Sequence, residues 1–158
     1  MSAFDSGNLV LVAKALHEKF PDKPIVIAGD DDKHLESTQG YNPGRSKANE
    51  AAKAVGGKVL LPIFSPGEQA YPENLEPVMP TKALAGELSD EQKDAIAKMK
   101  SFTDFNDLAT KSLSGKEGIE RQVRSVVFSV IDKHQARIEQ QQELVQQQEQ
   151  RPRRAAKI

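Results

Sequence analysis

With 158 residues, a formal net charge of −1 and no cysteine, the chain is long enough for one cored domain plus an extension and carries no global basic field for nucleic acid. Disulfides and thiolate zinc sites are excluded, which fits a reducing cytoplasm. The longest apolar runs, Ile25–Ala28 and Val59–Leu61, fall far short of the roughly 20 residues that span a bilayer, and no basic stretch leading into an apolar one marks a signal peptide, so a soluble cytoplasmic protein with no membrane partner is expected.

Between Asn8 and Phe20, the residues Leu9, Val12, Ala13, Leu16 and Phe20 recur at helical spacing, with Asn8 placed to cap the helix and Pro21 and Pro24 bracketing its end. Residues 24–29 form a short continuous apolar run of the kind a buried parallel strand shows, and it ends in Gly29 and three aspartates, Asp30, Asp31 and Asp32. Asn42-Pro43-Gly44 opens a second helix, because proline suits the first helical turn. Its small apolar face is Ala48, Ala51, Ala52 and Val55, Gly56-Gly57 stops it, and Lys58 to Pro62 reads as a second buried strand. Helix, strand, helix, strand in that order predicts an α/β fold with a parallel sheet.

From Phe64 to Met79 the prolines Pro66, Pro72 and Pro77 and the lack of periodicity predict a loop or insertion. Ser89 with Gln92 resembles a capping box for a helix reaching about Lys100. Asp104-Phe105-Asn106-Asp107 then starts another helix, and Ile119, Val123, Val126, Val127, Val130 and Ile131 form a firm helical stripe. Beyond His134 the stripe thins among glutamines. Residues 139–158 are glutamine-rich and then basic, with Arg151, Arg153, Arg154 and Lys157, and composition predicts a helix that outruns its core and frays into a disordered tail.

The segment Ile27-Ala28-Gly29-Asp30-Asp31-Asp32 is the most informative. In an open parallel sheet ligands bind beyond the carboxyl ends of the strands, so a buried strand running into acids delivers carboxylates where an active site lies. Alternation along extended chain puts Asp30 and Asp32 on one side and Asp31 on the other. Such close like charges call for a cation between them, and carboxylates with retained waters suit Mg²⁺ or Mn²⁺. Acids after a strand also make turns or cap the next element. Asp104 is equally suited to cap its helix, with Phe105 and Leu108 packing inward, although capping by Asp104 alone leaves the closeness of Asn106 and Asp107 unexplained.

The Asp30-x-Asp32 pair after residues 25–29, with Asn42-Pro43-Gly44 and an alanine-rich helix behind it, resembles the Toprim module of plasmid TraC-type DNA primases and related primase-like helicase loaders. Residues 3–9 resemble the lead into the helix before that strand, and Asp104-Phe105-Asn106-Asp107 resembles the later acidic motif of primase Toprim domains. The likeness covers residues 3–65 and 101–125. It implies a Toprim-like (Rossmann-like) parallel sheet flanked by helices, with a long C-terminal helix, and a Mg²⁺- or Mn²⁺-dependent site for phosphodiester chemistry in DNA replication and conjugation. In that scheme Asp30 and Asp32 are catalytic metal ligands and Asp104 and Asp107 support the ions or their waters. Gly29 and Gly44 let phosphate approach the backbone, Arg45 and Lys47 meet nucleotide phosphates, and the partners are DNA template, primer and nucleoside triphosphates. The family's glutamate lies on a strand upstream of Ala3, and Glu18 is not in that motif. The expectation is therefore a fold incomplete at its N-terminus, inactive alone, with the missing strand supplied by the upstream part of a larger primase or by another chain.

On this reading residues 1–66 are the partial Toprim core, 67–100 an insertion with a short helix, 101–138 the acidic motif and C-terminal helix, and 139–158 the tail. His34, close behind the acids, either touches phosphate or metal or is a solvated loop histidine. Arg121 and Arg124 fall on the polar side of the valine stripe as surface charges, and the basic tail could contact a nucleic-acid backbone without reading sequence. The sparse aromatics and absent tryptophan offer no stacking platform for bases. A rival reading is a non-catalytic Toprim-like interaction module working through the C-terminal helix. A small Rossmann-like binder of another phosphorylated ligand is a third; dinucleotides are disfavoured because no Gly-x-Gly-x-x-Gly segment is present.

Overall fold

The computed structural model describes residues 6–149. A short 3₁₀ turn, Ser6–Asn8, leads into α1 (Leu9–Lys19), followed by β1 (Val26–Ala28), α2 (Lys33–Gln39), α3 (Pro43–Val55) and β2 (Lys58–Leu60). After a long irregular stretch come α4 (Pro80–Ala85), α5 (Asp90–Lys100), α6 (Phe105–Thr110) and α7 (Gly115–Glu149). The two strands pair in parallel, Val26 opposite Lys58, Ile27 opposite Val59 and Ala28 opposite Leu60. The protein is thus mixed α/β, with a small parallel two-stranded sheet and a long C-terminal helix. No helix among the described residues is long and apolar enough to cross a membrane.

The core is built on small residues. Ala13 of α1, Ile27 of β1 and Ala48, Ala51 and Ala52 of α3 are buried together, with Leu9, Val10, Ile25, Val55, Val59 and Leu61 packed around them. An alanine methyl adds only about 0.8 kcal/mol of burial, against about 1.5–3 kcal/mol for a leucine or valine side chain. What the alanines contribute instead is proximity: α3 lies directly on β1. Gly29 is part of the same fit, since a Cβ there would sit 2.5 Å from the Cβ of Ala48.

The helix boundaries follow local chemistry. Asn42 caps α3 by accepting from Arg45 N–H, Pro43 occupies its first turn, and Gly56, at φ 62°, takes the left-handed conformation that ends it. Ser89 and Gln92 form the expected capping box of α5, with both reciprocal bonds present. Asn8, by contrast, sits in helical conformation at the end of the 3₁₀ turn and makes no capping bond to α1. The extended backbone a capping side chain needs is already used up by that turn. Two helices go beyond the sequence expectation. α2 fits between the aspartates and Asn42, closed by Gly40 at φ 73°, and α4 starts on Pro80 and closes on Gly86.

Residues 61–79 contain no helix or strand, as the prolines foretell. They are nevertheless tied in tightly: Phe64 packs edge-on against Phe102, ring centres 5.5 Å apart, and Glu68 and Gln69 are buried. α7 continues through the glutamine-rich stretch to Glu149 where composition suggests fraying from 139. Glutamine and glutamate are good helix formers, so the helix persists after its apolar contacts run out. The basic part of the tail lies outside the described residues.

Candidate functional site

β1 delivers its aspartates through a backbone bond that extends the ladder, Gly29 N–H donating to Leu60 O at 3.0 Å. Two residues later the chain is gripped from the far side: Asp31 N–H donates to Thr103 O at 2.8 Å. That bond sets the segment before α6 beside the loop after β1 and brings the two acidic motifs together.

Within the triplet the three carboxylates have different surroundings. Asp31, opposed to its neighbours as alternation implies, is only 5% exposed. Its Oδ1 accepts from Asn42 Nδ2 at 2.9 Å and from Arg45 Nη2 at 2.7 Å, and Lys33 Nζ stands 3.9 Å from Oδ2. Its carbonyl accepts from Gln69 Nε2 at 2.7 Å. Asp32 is half-buried, its N–H donating to Asn42 Oδ1 at 3.1 Å and its Oδ2 accepting from Gly44 N–H at 3.0 Å. Asp30 is exposed, and its carboxylate takes no hydrogen bond among the described residues. Although the residue as a whole is exposed, partial desolvation of its carboxyl by the surrounding chain raises its pKa above the ordinary aspartate value, and the negative charges of Asp32, Asp104 and Asp107 raise it further.

The second acidic motif has a local explanation. Asp104 caps α6, its Oδ1 accepting from Asp107 N–H at 2.6 Å. Asp107 closes the capping box, its Oδ2 accepting from Thr103 N–H at 3.0 Å, Thr103 Oγ1 at 3.1 Å and Asp104 N–H at 3.4 Å. Its Oδ1 accepts from Lys111 Nζ at 2.6 Å. The close spacing of the two acids is what a capping box requires. Burial works against the Asp107 charge, but Lys111 and the Thr103 and Asp104 donors outweigh it and hold the group below the usual aspartate range.

The four sequence-predicted carboxylates therefore share one electrostatic neighbourhood but not one role. The oxygens left without a protein partner among the described residues are both of Asp30, Oδ1 of Asp32 and Oδ2 of Asp104. Among the described residues, no group of three or more acidic or histidine side chains is arranged to hold a metal ion. The donor type does fit Mg²⁺, a hard cation that commonly keeps several waters and takes only one or two carboxylates besides substrate phosphates.

The remaining candidates divide similarly. Gly44 stands at the first turn of α3, where a Cβ would lie 2.6 Å from Asp30 O and 2.8 Å from Asp32 Oδ2, so its lack of a side chain lets α3 approach the acidic loop. Gly29 serves the Ala48 contact in the same way. Arg45 is committed to Asp31 and, at 3.3 Å, to Glu36. Lys47 pairs with Glu50 at 3.0 Å on the outer side of α3. His34 belongs to α2 rather than to a loop, and it is buried, with Nδ1 unpartnered among the described residues. Burial holds its imidazole below the usual range, Asp32 opposing this and Lys100 adding to it. Arg124 is an exposed charge paired with Glu120, as expected of that face.

A cavity of about 650 Å³ opens beside the acids, with Asp31, Lys33, Arg45, Asn49 and Gln69 along one wall and Val126 of α7 among its apolar residues. Asp30, Asp32 and Asp104 do not line it. Sequence reasoning misses the residues that organise this region. Asn42 shows only as a cap, yet its amide also ties Asp31 to Asp32. Gln69 and Glu68 carry no local signal. Glu68 is buried and accepts from Ser112 Oγ at 2.6 Å, Leu113 N–H at 2.7 Å and Ser65 N–H at 2.9 Å. Burial disfavours its charge, but these donors and Lys98 hold it below the usual glutamate range.

No family model matches the sequence, and no solved structure matches it. Two curated relatives do, both named DNA primase TraC, from Escherichia coli. One is 51% identical over 186 aligned positions covering 98% of this chain, the other 47% identical over 188 positions covering 100% of it. Both alignments run longer than the chain, so the relatives carry residues inside the matched stretch that this chain lacks. The chain spans only 18% and 13% of their lengths. Over essentially its whole length, this chain is similar to one region of proteins named DNA primase TraC.

Proposed function

We propose that the chain is a Toprim-type region of a plasmid DNA primase, in which Asp30, Asp32 and Asp104 hold Mg²⁺ or Mn²⁺ for primer synthesis. The observation that carries this reading is the convergence of two acidic segments: the 2.8 Å bond from Asp31 N–H to Thr103 O sets the loop bearing Asp30 and Asp32 beside Asp104, and Asp30 takes part in no ion pair among the described residues. A divalent ion would balance these charges, polarising a phosphoryl group and steadying the attacking and leaving oxygens when bound. Asp107 acts as a positioning residue, holding α6 in register, and Asp31 with Asn42 and Arg45 sets the loop. Lys33, which lines the large cavity and makes only a long 3.9 Å contact with Asp31, suits it to a nucleoside triphosphate. The family's glutamate has no counterpart in a matching motif, so turnover requires it from the rest of a larger primase or from another chain.

The test is a Mn²⁺ titration followed through paramagnetic broadening of backbone amide signals. Broadening centred on Asp30, Asp32 and Asp104 and abolished by Asp30→Asn is the expected outcome; broadening that is dispersed, or unchanged in that variant, overturns it.

One observation favours the second reading, an interaction module. α7 leaves Phe128 56% exposed and Ile131, Ile138, Leu144 and Val145 exposed along the same helix. Deleting residues 139–158 would then abolish concentration-dependent association, whereas an unchanged, strictly monomeric deletion variant would rule that reading out.

A further inference from the structure

At the end of the sheet opposite the acids lies a second cavity, of about 240 Å³, where three separate parts of the chain meet. The turn before β1 contributes Asp22 and Lys23, the turn into β2 contributes Lys58, and α7 contributes Lys133 and Arg137. The two turns are in close contact: Lys58 N–H donates to Ile25 O at 2.9 Å, and a Cβ on Gly57 would lie 2.9 Å from that same oxygen. Four cations therefore face one acid, in a chain whose overall charge is −1. None of the four takes part in an ion pair among the described residues. His17 and His134 add two ring nitrogen pairs to the same lining.

Compensation of helix dipoles accounts for only part of this cluster. α1 and α3 both end here, and cations near a helix C-terminus are favourable. The basic residues in their last turns, however, are His17, Lys19 and Lys53. Lys58, Lys133 and Arg137 come from other elements and converge with Lys23 where Asp22 is the one acid among the lining residues. Like charges gathered in a concavity repel, and an anion entering it relieves that repulsion.

We infer that this cavity is a phosphate-binding subsite for the backbone of a single-stranded nucleic acid, separate from the acidic site. Its volume is below the roughly 300–1,000 Å³ of pockets that enclose a small-molecule ligand, so it suits one phosphate group of a longer strand rather than a whole nucleotide. Ile25 and Asp30 are five residues apart, about 17 Å of extended chain at about 3.3 Å per residue, so a phosphate held here is not the one handled at the acids. The choice of a nucleic-acid strand over other polyanions rests on the primase reading; the cavity and its charge do not.

The experiment uses the whole chain in EDTA, so that the acidic site plays no part, with a fluorescent oligothymidylate followed by anisotropy over a range of salt concentrations. Lys58→Glu/Lys133→Glu is compared with Lys82→Glu/Lys116→Glu, which changes net charge equally away from the cavity. The cavity variant should bind at least about tenfold more weakly than the control, with a salt slope shallower by about 0.7 for each phosphate it no longer neutralises. Equal affinity and slope in the two variants, or no binding by the parent, would overturn the inference. Far-UV circular dichroism checks that both variants remain folded, and Lys58→Gln/Lys133→Gln replaces the first pair if it does not fold. A pyrophosphate titration read by amide shifts adds a further arm: shifts at Lys23, Lys58 and Lys133 with unchanged oligonucleotide affinity in the variant would mean a small-anion site and would also overturn the backbone assignment. Failure of Mn²⁺ broadening at Asp30 bears on the primase metal site and leaves these measurements interpretable.

Discussion

The backbone N–H of Asp31 donates to the carbonyl of Thr103 across more than seventy residues of sequence, at 2.8 Å. Through that bond the loop after β1 and the start of α6 become one wall, with Asp30 facing Asp104 and Asp107 electrostatically while Asp31 turns inward to Asn42 and Arg45. The two acidic motifs thus depend on each other, and most of the expected mutational behaviour follows from which carboxylate faces inward.

Asp31→Ala should be the most damaging change in the triplet. It leaves Asn42 Nδ2 without its acceptor in a nearly closed site and Arg45 with only its exposed contact to Glu36. Breaking a buried charged pair costs about 3–5 kcal/mol, and with Arg45 about a third exposed the expected loss is about 2 kcal/mol. Urea unfolding measures it. Lys47→Ala, which removes an exposed pair, should change stability by less than about 0.5 kcal/mol.

Asp30→Asn should do the opposite. A carboxyl whose folded pKa is raised favours folding when protonated, and that advantage is lost as pH rises through the folded value. At neutral pH in EDTA the variant should therefore melt higher than the parent. Millimolar Mn²⁺ should raise the melting temperature of the parent and leave the variant unmoved, since a ligand stabilises only the state it binds. A lower melting temperature for the variant in EDTA would show that the Asp30 charge is already compensated.

Acid should weaken the fold through Asp107 and Glu68. Both have folded pKa values below their ordinary ones, so their stabilisation is complete above the ordinary carboxylate range and is lost as pH falls through the depressed values. Stability measured by denaturant at successive pH values should decline on acidification below the ordinary carboxylate range. The decline should be shallower in Asp107→Asn and in Glu68→Gln, each of which should already be less stable than the parent at neutral pH.

Gly29→Ala should destabilise the α3–β1 contact by about 1–3 kcal/mol, the usual range for overpacking. The new methyl would stand 2.5 Å from Ala48 Cβ. Adding Ala48→Gly should return part of the loss, because the two methyls compete for one space. Thermal melts of both single variants and the double variant test this coupling, and strictly additive effects would refute it.

Much of this molecule was readable from nearest neighbours in the sequence. Asn42-Pro43 opening α3, Gly56 closing it and the Ser89–Gln92 box on α5 all operate over three or four residues, within reach of one helical turn. Continuous apolar runs were enough to locate β1 and β2 and their parallel pairing. The primase likeness was carried by such short motifs, and the two relatives named DNA primase TraC support that level of the reading. The sorting of the aspartates lay beyond local pattern. Asp30, Asp31 and Asp32 are chemically identical, and which one is buried depends on where Asn42, Arg45, Gln69 and Thr103 arrive in space. The closeness of Asp104 and Asp107 looked like surplus chemistry and is accounted for by a reciprocal cap. Lys23, Lys58, Lys133 and Arg137, scattered over more than a hundred residues, carry no joint signal in the sequence. Only the meeting of two turns with α7 makes them one positive cavity, because electrostatic energy depends on distance in space and sequence separation does not enter it.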